Sequence, residues 1–324
     1  MDSDFLVRVS CMTYNHAPYI EDAMNGFCMQ ETSFPFVCTI IDDASTDGEQ
    51  EIINRYLQAH FNLQDKTIVR NEETDDYVLT FARHKTNINC FFAVFFLKYN
   101  HYRKKSKAPY IQEWANTKYI ALCEGDDYWI DSLKIQRQVD FLESHSDYSM
   151  CFHGAKVIIE DSGISEIKTM IELECREYTA EEIYDNWTVP TASVVFRSCV
   201  PMESDKRFVY SDIVLFLSCS SVGKLYCLGD SLSIYRRHSG GLSTSNTSFQ
   251  KIINHQLALK DHFQQLKEII DIHIARKYVI YFFKGGFNRD SWDVCKHLIM
   301  HPQYIVSALK FLPSFFRVYY KRQV

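Results

Sequence analysis

The chain has 324 residues, of which 46% are apolar and 23% charged, and its formal net charge is −6 at pH 7. This length allows one large domain or two modest ones, and the acidic balance excludes a nucleic-acid-binding protein that relies on a basic surface. The acidic start MDSDFLVRVS predicts no signal peptide, and no run reaches the roughly 20 apolar residues of a membrane-spanning helix.

Eleven cysteines are the one unusual feature of the composition besides a high aromatic content. Their number is odd, their spacing is scattered and no C-x-x-C motif occurs, which argues against a disulfide framework. Several lie in apolar runs, such as Cys38 in FVCTII and Cys199 in FRSCV. We therefore expect buried, reduced thiols in a cytoplasmic protein.

The first 61 residues alternate between predicted strands and helices. Apolar, β-branched runs at 5–14 and 36–41 predict buried strands, and helices are expected at 19–30 and 49–61. In the turn AST-DG before the second helix, Ser45 or Thr46 is the expected helix cap.

The alternation continues to about residue 150, with one interruption. We predict a short strand at 66–70, a helix over the apolar residues 88–97, a basic and aromatic insertion at 98–118, and a strand at 119–123. Asp131 is expected to cap a helix whose inward side chains are Leu133, Ile135, Val139 and Leu142. Alternating strands and helices predict a three-layer α/β fold with a mainly parallel sheet.

The second half of the chain is more mixed. Strands are predicted at 150–159, 191–196 and 224–228 and a short helix at 211–221, and from residue 249 onward the chain reads as helical with a break at Gly285-Gly286. Thr179 and Glu182 have the spacing of a capping box.

Polar residues follow three of the predicted strands. Ligands of open α/β sheets collect at the carboxyl ends of strands, and that is where these residues lie. They are Tyr14, Asn15, Asp42, Asp43, Glu124, Asp126 and Asp127. Carboxylates suit Mg²⁺ or Mn²⁺, ions that leave positions open for substrate phosphates, although Gly-Asp-Asp is also an ordinary turn sequence.

Three blocks in this order resemble the family 2 glycosyltransferases, which have the GT-A (Rossmann-like) fold. They are MTYNHAPYIEDAM, IIDDASTDG and YIALCEGDDYW. The resemblance covers about residues 5–145 and continues more loosely through 211–243, and the nearest branch is that of bacterial polysaccharide assembly. It implies an inverting, metal-dependent transferase that uses a nucleotide-sugar, expected to be a UDP-sugar, with Mn²⁺ or Mg²⁺.

The resemblance also implies roles on the donor side. Tyr14 would stack on the base and Asp42 would accept its N–H, with Thr13, Asn15 and Asp43 nearby; Asp43 fits a local turn network as well. Arg83 is matched to an arginine that meets the donor in some relatives, with a surface arginine as the alternative.

In the acid turn, the resemblance assigns Asp126 to the metal and Glu124 to the ribose or a metal-bound water. Glu124 stands where the family usually has aspartate. Asp127 would support the metal or meet the donor sugar, or else be only an acid at a turn. His238 in YRRHSGG resembles a late histidine that reaches the metal, and the arginines before it are alternative phosphate ligands.

On the acceptor side, Asp212 in YSDIVLFL resembles the catalytic base, although an acid in that position also serves as a helix cap. Asp205 is the competing acid. Trp187 and Thr191 resemble residues that border the acceptor.

We expect a transferase domain at 1–245, with a donor half at about 1–130 and an acceptor half at about 131–245, and a helical extension at 246–324. Basic and aromatic residues in KFLPSFFRVYYKRQV favour peripheral contact with the inner face of the cell membrane, with packing on the domain as the alternative. The expected acceptor is a glycan or a lipid-linked glycan.

Three other functions are weighed against this one. A haloacid-dehalogenase phosphatase needs its nucleophilic aspartate after the first strand, where this chain has Tyr14-Asn15. A dinucleotide dehydrogenase needs G-x-G-x-x-G, which is absent. A non-catalytic nucleotide-sugar or glycan-binding protein on the same fold stays open.

Overall fold

A computed structural model describes residues 5–102, 104–159, 166–186, 189–238, 240–241, 247–283, 289–310 and 312. The chain divides into two compact units. The first comprises Met1–Tyr178, Thr188–Val200 and Cys219–Ser239, and the second comprises Thr179–Trp187, Pro201–Ser218 and Gly240–Val324.

All the strands of the described residues lie in the first unit and join one sheet. They are β1 (Val7–Thr13), β2 (Phe36–Asp42), β3 (Arg70–Glu73), β4 (Tyr77–Arg83), β5 (Cys90–Leu97), β6 (Tyr119–Leu122), β7 (Tyr128–Trp129), β8 (Tyr148–Ile159), β9 (Glu166–Thr169), β10 (Arg176–Tyr178), β11 (Val195–Arg197) and β12 (Lys224–Arg237). Their order is β10-β12-β8-β11-β6-β1-β2-β5-β4-β3, with β7 beside β12 and β9 beside β8.

The centre of the sheet is parallel and its flanks are mixed. Strands β6, β1, β2 and β5 run parallel, whereas β11, β4 and β3 are antiparallel to their neighbours. Every residue of β2 is buried, as expected for a central parallel strand that is covered on both faces. The predicted α/β fold with a parallel core is therefore confirmed.

Three helices of the first unit contribute to one apolar core with the sheet. They are α1 (Ile20–Cys28), α2 (Glu49–His60) and α3 (Lys134–Ser144). Gly26 lets α1 approach β7 closely, because a Cβ there would lie 2.9 Å from the backbone nitrogen of Trp129. A second cluster includes Val37, Phe95 and Trp114 and is covered in part by the 3-10 helix Ala108–Trp114. The predicted insertion at 98–118 thus helps to cover the core.

Two predicted elements of the first half are wrong. Residues 88–97 form strand β5 instead of a helix, because this run of aromatic and β-branched side chains fills a central position buried on both faces. The predicted strand at 66–70 begins only at Arg70 and is an edge strand paired with β4.

Several element ends also differ from the prediction. The N-cap of α2 is Gly48, not Ser45 or Thr46. The N-cap of α3 is Leu133, which is exposed, although Asp131 still accepts a hydrogen bond from its backbone N–H. The predicted strand at 191–196 begins as the 3-10 helix Thr191–Ser193.

The second unit is helical. It holds α4 (Ala180–Asn186), the first part of α5 (Ser211–Val222), α6 (Phe249–His262), α7 (Lys267–Phe283) and α8 (Arg289–Met300), followed by helical residues 303–310. The predicted capping box is confirmed, since Thr179 and Glu182 exchange hydrogen bonds. The predicted break at Gly285-Gly286 lies outside the described residues.

The predictions of reduced thiols and of no membrane-spanning helix can both be compared with the described residues. All eleven cysteines, each in a described position, are free thiols, and seven of them are buried. In the described part of the chain, no helix is both long enough and apolar enough to cross a membrane.

A fully buried lysine packs against Trp129 of β7. The Lys134 side chain sits 4.0 Å from the centre of the Trp129 ring, and its Nζ has no hydrogen-bond partner among the described residues. Although the ring favours a cation, burial lowers the pKa of Lys134 to about 7. The free-energy cost of removing the ammonium group from water is therefore larger than the stabilisation that the Trp129 ring provides.

We predict that Lys134→Met changes the pH dependence of unfolding. Between about pH 7 and 10.5 the unfolded wild type binds a proton that the folded state releases, so its free energy of unfolding falls as pH falls. Relative to Lys134→Met, wild type should lose up to about 1.4 kcal/mol per pH unit in this window. Urea unfolding at several pH values measures the difference.

The matched control is Lys104→Met, which removes an exposed lysine and should leave the pH dependence as in wild type. A constant difference between wild type and Lys134→Met from pH 7 to 10 would contradict the prediction.

Candidate functional site

The polar residues that follow β1, β2 and β6 meet at one edge of the sheet. Thr13 pairs in register with Asp42, and Ser10 pairs with Leu122. Because these strands are parallel, their carboxyl ends open onto the same edge. The structure thus brings together the three loops that the sequence singled out.

The acid turn Glu124–Asp127 packs directly on the end of β1. The Gly125 backbone N–H donates to the Met12 carbonyl at 3.0 Å, and a Cβ on Gly125 would lie 2.2 Å from Thr13 Oγ1. Only glycine fits this contact without displacement. The exposed Glu124 and the partly buried Asp126 lie on either side of it.

Two histidines flank Asp126. His238 Nε2 lies 3.1 Å and His16 Nε2 3.7 Å from Asp126 Oδ2. One ligand atom from each of the three residues falls within 4.8 Å of the others. Burial lowers the pKa of His16 below its ordinary value, which favours a neutral imidazole with a free lone pair. Imidazole and carboxylate together suit a first-row divalent ion.

The sequence interpretation did not include His16 among the metal ligands. The signal was its position two residues past Tyr14, in the loop after the strand that neighbours β6. A histidine at that place reaches the acid turn, because adjacent parallel strands end side by side.

Arg236, at the end of β12, is the cation that lies among the acids. Its side chain is buried, its Nη1 donates to the Asp126 carbonyl at 3.0 Å, and its Nη2 pairs with Asp22. Its backbone N–H donates to Asp127 Oδ1 at 2.9 Å. Two residues further on, the chain reaches His238, so this contact holds the histidine beside Asp126.

Asp127 faces the protein interior. Burial, and after it the nearby Asp126 charge, raises the pKa of Asp127 well above its usual range. This acid therefore holds its proton more tightly than an exposed aspartate, which lessens repulsion within the turn. Its carboxylate bonds to β12, so it acts on the site through Arg236 and His238.

On the β2 side, Tyr14 is 44% exposed whereas Asp42 is fully buried. The Asp42 carboxylate accepts from the backbone N–H of Ser45 and from the side-chain amide of Gln50. Burial raises the pKa of Asp42 to about 6, and these hydrogen bonds oppose the rise.

Glu49 connects the loops after β1 and β2, a role that the sequence interpretation missed. Its buried carboxylate accepts from the Thr13 hydroxyl, from the His16 backbone N–H at 2.8 Å and from the Ser45 hydroxyl at 2.8 Å. Burial raises its pKa. These hydrogen bonds hold Thr13 and His16 in place.

Asn15 makes a second connection between the same loops. It adopts a left-handed backbone with φ of 57°, a conformation that asparagine tolerates. Its backbone N–H donates to Ser45 Oγ and its Oδ1 accepts from the Thr46 N–H, each at 2.8 Å.

Asp43 binds the insertion after β5. Its Oδ1 accepts from the His101 backbone N–H at 2.7 Å, and its Oδ2 lies 2.9 Å from Lys107 Nζ. Asn100 donates to its carbonyl at 3.0 Å. These contacts favour the structural interpretation of Asp43 and place Asn100, His101 and Lys107 beside the end of β2.

Arg83 does not lie with the other predicted donor residues. Strand β4 is antiparallel to β5, and Arg83 pairs with Phe91 near the start of β5, whereas Asp42 pairs with Phe96 near its end. Five residues of strand separate the two levels by roughly 16 Å. Arg83 lies 3.9 Å from Asp65, so its position favours the alternative of a surface arginine.

Thr191 lies on a 3-10 helix near the acid turn. Strand β11 is antiparallel to β6, so the 3-10 helix Thr191–Ser193 lies at the carboxyl end of β6. The Trp129 indole N–H donates to the Ala192 carbonyl at 2.8 Å. Trp187 lies outside the described residues.

The two candidate bases belong to the second unit and differ in surroundings. Asp212 lies in the first turn of α5 and is partly exposed. Asp205 accepts hydrogen bonds from Arg207, whose Nη2 is 2.6 Å away, and lies 3.3 Å from His262 Nε2. These partners, Arg207 first, hold the pKa of Asp205 well below its usual range. An acid so engaged is a poor proton acceptor.

Known proteins resemble this chain in part of its sequence and in its fold. Residues 11–78 match the model of glycosyl transferase family 2. The chain is 28% identical over 279 residues to the uncharacterized protein Rv1520 of Mycobacterium tuberculosis, which spans 85% of this chain and 71% of that protein.

Among solved structures, S. aureus TarS 1-349 in complex with UDP-GlcNAc has a TM-score of 0.56 at 16% identity, with 93% of this chain and 79% of TarS 1-349 covered. Its complex with UDP gives 0.54 at 15% identity, with 86% and 72% covered. The match to the glycosyl transferase family 2 model thus covers the first strands and helices, and the chain shares its overall fold with TarS.

Proposed function

We propose that this glycosyltransferase moves a sugar from a UDP-sugar to a hydroxyl of a glycan or lipid-linked acceptor, with inversion at the anomeric carbon and dependence on a divalent metal. The observation that carries the proposal is the grouping of His16, Asp126 and His238 at the edge of the sheet where Tyr14 and Asp42 also lie. Metal ligands beside an exposed tyrosine ring and a carboxylate at the carboxyl ends of parallel strands suit a nucleotide diphosphate.

His16, Asp126 and His238 would hold the metal. When bound, such an ion stabilises the negative charge of the departing nucleoside diphosphate. Two nitrogen donors and one carboxylate favour Mn²⁺ over Mg²⁺, which prefers oxygen ligands throughout. With three protein ligands, such an ion would stay open to oxygens of the donor and to water.

The other residues at this edge would bind and orient the donor. The exposed Tyr14 ring would stack on the base, and Asp42 would accept its N–H in exchange for the Gln50 amide that it now binds. Glu124 would face the ribose. Thr13, Asn15, Asp43 and Asp127 would keep the loops in position through the hydrogen bonds that they already make.

We propose Asp212 as the catalytic base. Its carboxylate would take the proton of the acceptor hydroxyl as that oxygen attacks the anomeric carbon, while the bond from that carbon to the diphosphate oxygen breaks. The engagement of Asp205 with Arg207 supports Asp212 over its competitor. Thr191 and Trp187 would border the acceptor.

A role in the synthesis of bacterial surface polysaccharide fits this chemistry, because such glycans grow by transfer from nucleotide-sugars. We propose that the protein works in the cytoplasm and at the inner face of the cell membrane, where a lipid-linked acceptor is reached.

A donor screen tests the proposed activity. Thermal unfolding is followed with UDP- and GDP-sugars, with and without Mn²⁺, since a ligand at about 100 times its Kd stabilises the folded state by about 2.7 kcal/mol. UDP-sugars come first because TarS, which has the same fold, binds UDP-GlcNAc. Stabilisation without any metal-dependent hydrolysis or transfer would instead favour the nucleotide-sugar-binding protein.

We predict that Asp126→Ala abolishes turnover and weakens metal-dependent UDP binding. His16→Ala should lower Mn²⁺ affinity about tenfold or more, because it removes one of three protein ligands. Electron paramagnetic resonance of free Mn²⁺ measures binding independently of activity. His60→Ala, which changes an exposed histidine on α2, is the control; equal Mn²⁺ affinity of His16→Ala and His60→Ala would refute the role of His16.

We predict that Asp212→Asn retains UDP binding and loses transfer by about 100-fold or more, as expected when a general base is removed. Asp205→Asn is the matched control and should keep measurable transfer. Wild-type rates in Asp212→Asn would rule out this base.

A further inference from the structure

The helices at the end of the second unit expose large apolar side chains. We call Trp292, Ile299, Met300, Val306 and Leu309 the carboxyl-terminal apolar face. Trp292 is 62% and Ile299 79% exposed, and the other three are exposed to a similar degree. Trp292, Ile299 and Met300 have the i, i+7, i+8 spacing of one face of α8, and Val306 and Leu309 have the i, i+3 spacing of one face of the next helix. Grouped exposure of this kind marks an interaction surface, whereas single exposed apolar side chains do not.

An apolar cavity adjoins this face. It lies between α7, α8 and the helical residues 303–310, has a volume of about 180 Å³, and is lined only by apolar atoms. Phe283, Ile305 and Leu309 line it and are themselves exposed, so the cavity is continuous with the surface. An apolar cavity of about 150 Å³ accommodates a benzene molecule, and this one has room for part of a hydrocarbon chain.

The stretch that carries most of this face is rich in basic residues and poor in acids. Residues 294–324 contain no aspartate or glutamate, although the whole chain carries 41 acids and a net charge of −6. The lysines of this stretch among the described residues are Lys296 and Lys310. Lys296 and Lys310 are exposed, and Lys296 lies 3.9 Å from Asp293. A local positive charge on an acidic protein selects for an anionic partner.

We propose that the carboxyl-terminal apolar face docks on an anionic phospholipid bilayer. Apolar and aromatic side chains enter the boundary between headgroups and acyl chains, an acyl segment occupies the cavity, and the lysines meet lipid phosphates. A protein partner is less suitable, because lysine is depleted in the cores of protein interfaces. The pattern matches an interfacial helix, in which basic residues interleave with large apolar ones.

The proposal of membrane docking rests on the proposed function only for its biological purpose. Vesicle binding requires neither donor nor acceptor. A protein that binds vesicles but no nucleotide, and one that transfers sugar but does not bind vesicles, are therefore distinguishable outcomes.

Co-sedimentation of the full chain with vesicles tests the proposal. We expect binding to phosphatidylcholine vesicles that contain about one third phosphatidylglycerol, weaker binding to phosphatidylcholine alone, and a loss of affinity as salt rises. Ile299→Asp should weaken binding about tenfold, because an aspartate replaces an isoleucine that would enter the membrane. Neither this residue nor Trp292 lines the cavity, so the fold should survive, and thermal unfolding checks this.

Matched variants separate the apolar and electrostatic contributions. Ile88→Asp places the same charge on a 68% exposed isoleucine of the first unit and should leave vesicle binding unchanged. Lys296→Glu with Lys310→Glu should abolish the preference for anionic lipid.

Tryptophan fluorescence reports the insertion directly. The chain has four tryptophans, and Trp114 and Trp129 are buried. In a Trp187→Phe background, vesicles should therefore shift the emission of Trp292 to shorter wavelength, and Trp292→Phe should remove the shift while binding persists.

Three results would overturn the proposal. They are no binding to anionic vesicles at low salt, equal losses in Ile88→Asp and Ile299→Asp, and a wild-type dimer that ignores vesicles and becomes monomeric in Ile299→Asp. The last result would assign the face to a second copy of the chain.

Discussion

The acid turn depends on one buried cation. Arg236 lies beneath Glu124–Asp127, bonds the Asp126 carbonyl and the Asp22 carboxylate, and packs 4.5 Å from the centre of the Tyr128 ring. Without it, three carboxylates close together would repel one another in a partly dehydrated place. Because its backbone also bonds Asp127, Arg236 fixes β12 against the turn and delivers His238 to Asp126.

The acids near this edge of the sheet differ in burial and in the groups that they bond. Asp43, Glu49 and Asp127 are buried, and their carboxylates accept hydrogen bonds from neighbouring loops or, for Asp127, from β12. Asp126 and Glu124 reach the accessible side of the edge. A site built in this way is preorganised, since the supporting hydrogen bonds exist before any donor arrives.

Much of the fold follows from local patterns. Alternating strands and helices with ordered motif blocks predicted the α/β architecture, the parallel core and most element positions in the first 150 residues. Local pattern failed at residues 88–97, where Cys90–Leu97 is a strand. A continuous apolar run is compatible with a helix or with a strand covered on both faces, and only its place between β2 and β4 decides between them.

The sequence by itself determined which residue types stand at the strand ends, because strand periodicity and turn residues are local properties of the chain. It could not assign each acid to structure or chemistry. Only the tertiary structure brings His16 close to Asp126 and His238 and buries Asp127 against Arg236. It also bonds Asp43 to the insertion and places Arg83 near the amino-terminal end of β5, away from the acid turn. The reason is physical: such roles depend on strand order and direction, which arise from contacts between residues far apart in the chain.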